Sequence, residues 1–343
     1  MKFQFAIFTS ALFLLLSACG KVESSSDLQG SSEPTIPHWA SLIDSKAMIG
    51  KAKIKDCTLS GGTQTQCVSF TLQPQPSAFE IGPWCPRNIA DGPNVSGIWL
   101  SDNKVYDADG QFIQDLASFY KDDNWQLFNA KTGKINVTDS KISCEAAARP
   151  DVDPAYQNHC VECKMSYLPA NTNMTYNIPI LPQATTKISS RIDHAGVGVA
   201  FSGARLDASA PIDAILSAYT VAPFDDCGGH INPNVGYHIH AVTDSNCLTG
   251  VSVSEDHAMQ IGIAMDGFPL HRRLNPDGSE PSDLDQCRGH DVGGNGYHYH
   301  VSAPETNAIL PCHSGQTGCA SENEDACNAS ARVRRGRPPK NED

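Results

Sequence analysis

The chain has 343 residues, 40% of them hydrophobic, which is enough for a real core and for two ordinary domains and sets disorder aside as the default. Its formal net charge of −13 argues against nucleic acid as a partner and against electrostatic docking on anionic lipid headgroups.

Residues 1–19 have the form of a bacterial secretory signal: Lys2, an apolar run over 3–16, then Leu16-Ser17-Ala18-Cys19, which resembles a lipobox. That form implies cleavage before Cys19, diacylation of its thiol, and an exported protein anchored by lipid in the cell envelope, at the outer membrane. A Ser-rich stretch over 24–32 suits a flexible tether, so 1–18 reads as signal and 19–34 as tether. No later apolar run approaches membrane-spanning length. With Cys19 taken by the anchor, an even number of the 13 cysteines remains, which points to disulfides formed in an oxidising compartment. Nearest-neighbour pairing joins Cys57–Cys67, Cys85–Cys144, Cys160–Cys163, Cys227–Cys247, Cys287–Cys312 and Cys319–Cys327. We carry forward the first, fourth and fifth as disulfide candidates, since sequence by itself does not fix connectivity.

The stretch 35–172 is a cysteine-bearing, loop-rich and β-rich region. Alternating apolar residues over 67–72 and 96–100 predict strands, and Phe112, Ile113, Leu116, Phe119 and Tyr120 recur at helical spacing within 111–121. Trp84, Trp99 and Trp125 are expected in packing. Asp107-Ala-Asp-Gly110 starts like a calcium loop but lacks its later acids, so it is read as a turn. The second region, 173–320, contains two matching units, roughly 194–247 and 257–312. His194-Ala opens one and His257-Ala the other; each continues with an apolar-Gly-apolar-Ala-apolar strand, closed by Ser202-Gly203 or Asp266-Gly267. Apolar spacing over 212–219 adds a short helix to the first unit alone. The units then share C-x-G-H-x5-G-Y-H-x-H: Cys227-Gly-Gly229-His230 through Gly236-Tyr237-His238-Ile239-His240, and Cys287-Arg-Gly289-His290 through Gly296-Tyr297-His298-Tyr299-His300. Two copies are too few for a solenoid, so a pseudo-twofold pair is expected. The tail 321–343 reads as disordered; the AT-hook-like basic run over 332–340 is a chance match by base rate.

In Gly-Tyr-His-x-His the strand period of two puts the two imidazoles on one face and Tyr or Ile on the other, the packing face. Imidazoles on Cα atoms roughly 6.5–7 Å apart can converge on one ion, and the Gly-His loop can bring a third. His230, His238, His240, His290, His298 and His300 are therefore candidate metal ligands, with His194 and His257 as the other repeated pair. Imidazole ligation favours a transition metal, copper or zinc outside the cytoplasm. Asp266 and Asp291 are candidates to accept the outer ring N–H of a ligand. His159, His271 and His313 have no repeat partner; His271 and His313 lie close to the motif in sequence and are weaker candidates. His300-Val-Ser302 starts like a phosphoesterase H-x-S motif, but His240-Ala-Val242 does not match it, and no G-x-S-x-G elbow or H-E-x-x-H is present.

These same residues carry a resemblance. Gly296-Tyr297-His298-Tyr299-His300, with Ile261-Gly-Ile-Ala-Met-Asp266-Gly267-Phe268-Pro269 before it, Leu284-Asp-Gln-Cys287-Arg-Gly-His290 between, and Leu310-Pro-Cys312 after, resembles the YHYH family of exported proteins over about 174–320. The segment from Cys57 and Cys67 to Pro83-Trp84-Cys85-Pro86 is similar to the N-terminal part of longer members. The first copy departs from the name with Tyr237-His238-Ile239-His240, as does His271-Arg272-Arg273. The resemblance implies secretion and the histidine-rich repeat, and brings no settled activity. The expectation is thus a mainly β, disulfide-stapled, lipid-anchored protein with a few short helices, binding copper or zinc through its duplicated motif and open to acting as a metal-dependent hydrolase or oxidoreductase. The alternative is a non-catalytic surface module binding glycan, matrix or a partner protein, with structural histidines.

Overall fold

Strands dominate the computed structural model, which describes residues 34–149, 151–189, 192, 195–243, 247–294, 296–321 and 328–330. In chain order they are β1 (Met48–Thr58), β2 (Gln64–Leu72), β3 (Ile98–Ser101), β4 (Lys104–Asp107), β5 (Met174–Pro179), β6 (Ala184–Ser189), β7 (Gly198–Ala200), β8 (Arg205–Leu206), β9 (Gly229–Asn232), β10 (Gly236–Ile239), β11 (Gln260–Ala264), β12 (Pro269–His271), β13 (Gly289–Asp291), β14 (Tyr297–His300), β15 (His313–Gly315) and β16 (Cys319–Ser321). Four helices join them: α1 (His38–Leu42), α2 (Gly110–Tyr120), α3 (Lys141–Ala147) and α4 (Ile212–Ser217). The stretches 67–72 and 96–100 fall in β2 and β3. The helical spacing gives α2, which buries Phe112, Ile113 and Leu116, and α4 arises where its spacing predicts. Asp109 of the expected turn caps α2 by accepting from the Phe112 N–H at 2.9 Å. The signal and lipidation site at 1–19, the tether through 33, His194, Cys327 and the basic run 332–340 lie outside the described residues. Among the described residues no helix is long and apolar enough to cross a membrane.

The central sheet has eight strands in the order β13-β14-β12-β11-β7-β8-β10-β9. Its two halves meet at β7 and β11, where Val199 lies opposite Ile263, flanked by Ala200 against Gly262 and Gly198 against Ala264. Each half makes the same connections: antiparallel β7–β8 and β11–β12, parallel β8–β10 and β12–β14, antiparallel β10–β9 and β14–β13. The glycine in each junction strand is required by close approach. A Cβ on Gly198 would stand 2.2 Å from the Ile263 carbonyl oxygen, and one on Gly262 would stand 2.3 Å from that of Val199.

The four-stranded sheet runs β1-β2-β5-β16, so strands from either side of residue 172 pair directly. Tyr237, Ile239 and Tyr299 are buried in one core cluster beneath the eight-stranded sheet, with Tyr297 packed against it. Trp99 and Trp125 lie in a second cluster with α2, and Trp84 packs against the first.

Cys57–Cys67, Cys227–Cys247 and Cys287–Cys312 are bridged as expected. The middle two pairs are not: Cys85 joins Cys160 and Cys144 joins Cys163. The reason lies in backbone and core. Cys160 bridges both Val137 and Val221 and stands 6.0 Å from Cys85 at Cα, while Cys163 stands 5.4 Å from Cys144. Cys160 packs into the second cluster and Cys163 into the first. Cys319 is disulfide-bonded, and its expected partner Cys327 falls outside the described residues.

Candidate metal centre

Each Cys-x-Gly-His loop is built around an aspartate two residues before the cysteine. Asp225 accepts the N–H of Cys227 at 3.1 Å and of Gly229 at 3.0 Å; Asp285 accepts those of Cys287 at 2.8 Å and Gly289 at 2.9 Å. The strand tyrosine closes the loop from the other side, Tyr237 Oη donating to Asp225 at 3.0 Å and Tyr297 Oη to Asp285 at 2.7 Å. These tyrosines lie so close over the loop that a Cβ on Gly229 or Gly289 would stand 2.5 or 2.0 Å from the hydroxyl, so glycine must precede the histidine. Burial pushes the Asp225 carboxyl up to about 6 against the pull of its donors. Each loop is tied by its cysteine to a segment further along, Cys227 to Cys247 and Cys287 to Cys312.

In the second half, β13 and β14 place His290 directly opposite His298, and His300 shares the His298 face. His257, ahead of β11, completes the group. The Nε2 atoms converge: His290 to His298 at 2.9 Å, His290 to His300 at 3.1 Å, His298 to His257 at 3.1 Å. The Nδ1 atoms face outward to acceptors, His298 to the Gly296 carbonyl at 2.8 Å, His300 to that of Arg272 at 2.8 Å, His257 to that of Ala258 at 3.1 Å and His290 to Asp283 Oδ1 at 2.8 Å. Carbonyls and carboxylates only accept, so each ring carries its proton on Nδ1 and presents a lone pair at Nε2. Lone pairs facing one another at these distances repel, and a cation between them turns the repulsion into ligation. Ligands at 2.0–2.1 Å from one ion, at angles of 90–109°, are about 2.8–3.4 Å apart, which brackets the observed spacing. The residues His257, His290, His298 and His300 are 8%, 7%, 1% and 0% exposed, so such an ion would be enclosed. Burial holds His298 below the usual imidazole range and His300 down to about 3, which keeps both neutral and able to ligate.

The first half repeats the arrangement with three described histidines. β9 and β10 set His230 opposite His238, and the ligand atoms of His230, His238 and His240 lie within 4.8 Å of one another. Nδ1 of His238 donates to the Gly236 carbonyl at 3.0 Å and Nδ1 of His240 to that of Ala208. These acceptors correspond in register to Gly296 and Arg272 of the second half. Burial lowers all three histidines, His238 to about 3. The two groups are separate centres, because β10 and β14 stand five strand steps apart in the sheet, about 24 Å along it.

The structure therefore brings seven of the eight expected histidines into two groups, the eighth being His194, outside the described residues. The two aspartates expected to orient ligands do neither. Asp266 is fully buried and accepts from Tyr299 Oη at 2.5 Å and the Gly315 N–H at 2.9 Å, because β14 turns its tyrosine face, not its histidine face, toward the Asp266-Gly267 turn. Asp291 is exposed at the end of β13 and bonds no imidazole among the described residues, since the strand alternation that buries His290 turns it outward. The carboxylate on a ligand is Asp283. It has no counterpart in the first half, so no repeat signal pointed to it. Asp225 and Asp285 were also missed, although both halves read Asp-x-Cys-x-Gly-His. His271 enters the second group's surroundings, with its ring centroid 4.5 Å from that of His298. His313 instead bonds the Val197 carbonyl at 2.9 Å.

A family model described as YHYH protein matches residues 175–282. The match takes in the first histidine set and His257, and ends before β13 and β14. No curated protein and no solved structure matches the chain.

Proposed function

We propose that the chain, whose residues 175–282 match the YHYH family model, is an exported protein that binds a transition metal, copper or zinc, in two separate imidazole centres. The observation that carries this reading is the convergence of Nε2 lone pairs in the second group, every proton being held on the outward Nδ1. Building that arrangement without a cation costs desolvation and repulsion together, with no hydrogen bond in return. The outward acceptors fix ring orientation as they do in known imidazole centres.

Enclosure of the second group favours an ion that is held over one that is presented to a substrate, because hydrolytic metal sites keep an open position reachable from solvent. At this group the enclosure favours an ion with a structural or holding role over the hydrolase or oxidoreductase reading. The proposal extends to address: the cystine bridges among the described residues favour an oxidising compartment, and Leu16-Ser17-Ala18-Cys19 supplies a lipid attachment at Cys19.

Metal analysis of the protein purified from the cell envelope tests the function. We expect about one to two equivalents of copper or zinc per chain, lost from the second centre in a His298→Ala/His300→Ala variant. Less than about half an equivalent, in protein that folds normally, would sink the reading. Radiolabelled palmitate tests the anchor, which should label the wild type and not Cys19→Ser.

A further inference from the structure

The two histidine groups differ in what closes them. In the second, the ring centroids of His290, His298 and His300 stand 4.6, 4.9 and 5.3 Å apart, and His257 caps that triangle at 4.8, 5.1 and 5.9 Å, so four imidazoles surround one point. In the first, the centroids of His230, His238 and His240 stand 4.8, 5.0 and 4.7 Å apart, a nearly regular triangle. No other histidine, cysteine, aspartate or glutamate among the described residues joins that group. Three donors at the corners of one triangle make a single face of a tetrahedron, and its fourth corner falls to another ligand.

Burial divides the groups in the same way. All four residues of the second are buried, whereas His230 of the first is partly exposed. The chain also differs beside this histidine. Two residues ahead of the aspartate in the shared Asp-x-Cys-x-Gly-His, the second half has Asp283 and the first has Pro223. Asp283 accepts from the outer nitrogen of His290 at 2.8 Å; Pro223 has no side-chain acceptor, and His230 bonds the Ala222 carbonyl instead. Phe224 lies 5.0 Å from His230 and 5.6 Å from His240, ring to ring, and is itself fully buried. It closes one side of the triangle with an apolar face that cannot ligate, which leaves the exposed edge of His230 as the way in.

We infer that the first centre keeps a coordination position for an outside ligand, water or a small monodentate anion, reached past His230, while the second centre keeps none. This rests on the metal-binding reading above. An ion held by three neutral imidazoles completes its shell with solvent or an anion, and that open position is what reactive metal sites keep and structural ones lack. Exchange with outside molecules therefore belongs to the first centre and retention to the second.

Anion titration of the cobalt-loaded protein tests it. Co(II) takes the place of zinc, its visible bands report its coordination, and azide is the probe. In the wild type, part of the cobalt spectrum should shift saturably with azide and the rest should not. The His298→Ala/His300→Ala variant, which keeps only the first centre, should hold cobalt that responds, and His238→Ala/His240→Ala should hold cobalt that does not. Cobalt bound at the first centre with bands unmoved by azide overturns the inference, as does an equal response at both centres. His194, the repeat counterpart of His257, lies outside the described residues; a first centre that responds only in His194→Ala has its fourth position filled, which also overturns it. If a double variant does not fold, the wild-type spectrum decides: responding and unresponsive bands together support the inference, and a response of all bands or of none overturns it. Wild-type protein that retains no cobalt, copper or zinc removes the metal-binding reading itself, an outcome distinct from cobalt that is held and does not respond.

Discussion

Asp283 reaches one ring and through it the whole second centre. Its hydrogen bond from His290 keeps the ring proton on Nδ1 and Nε2 turned inward, and the same bond holds the carboxylate below its ordinary range. Asp283→Ala should therefore weaken metal binding at this centre by about 10–100-fold while leaving folding intact, since the carboxylate is largely exposed; metal titration against a competing chelator measures it. Asp266 predicts the converse. It is fully buried and accepts from Tyr299 and Gly315, so Asp266→Ala strands two buried donors and should cost about 2–5 kcal/mol of stability, read by denaturant unfolding. The two aspartates could not be told apart in sequence, because which face of β14 looks toward the Asp266 turn depends on strand order.

At the scale of elements, the loop that delivers His290 depends on Gly289 passing under Tyr297. Gly289→Ala puts a methyl 2.0 Å from the Tyr297 hydroxyl and should break its bond to Asp285. The expected result is a loss of about 1–3 kcal/mol with a parallel loss of metal from the second centre, whereas Gly293→Ala, where a Cβ meets nothing, should leave both unchanged. This dependence was half legible in the repeated Cys-x-Gly-His spacing. The pattern marked the glycine, and its reason lay in a tyrosine eight residues on that folds back over it.

At the scale of the molecule, two consequences follow from burial and chain closure. His238, His271 and His300 each fall to about 3 from an unfolded value near 6.5, so below 6.5 the unfolded chain binds more protons than the folded one. Metal-free protein should lose stability as pH drops from about 6.5 toward 3. Asp225, raised to about 6, acts in the opposite sense between about 4 and 6, but it is one group against three. Melting temperature at pH 7.5 and 5.5 checks the sign, and an unchanged or higher value at pH 5.5 would contradict it. Chain closure ranks the disulfides: Cys85–Cys160 spans 75 residues and Cys57–Cys67 spans 10, worth about 4.5 and 2.7 kcal/mol by loop entropy. Replacing the first pair with serine should lower stability by about 2 kcal/mol more than replacing the second, as measured by urea unfolding.

The strand alternation, the amphipathic α2 and the repeated histidine spacing could be read from the chain alone, whereas adjacency of cysteines held for three pairs and failed for Cys160 and Cys163. Those features are local: side-chain period and short loops act over a few residues, so the chain displays them wherever they occur. Only the tertiary structure decided that β7 and β11 join the two histidine-bearing halves into one sheet, and that Cys160 and Cys163 part toward different cores. It also decided that Asp283 meets His290 while Asp266 meets Tyr299. These depend on which strands lie side by side, and pairing between residues distant in sequence leaves no periodic mark at either partner.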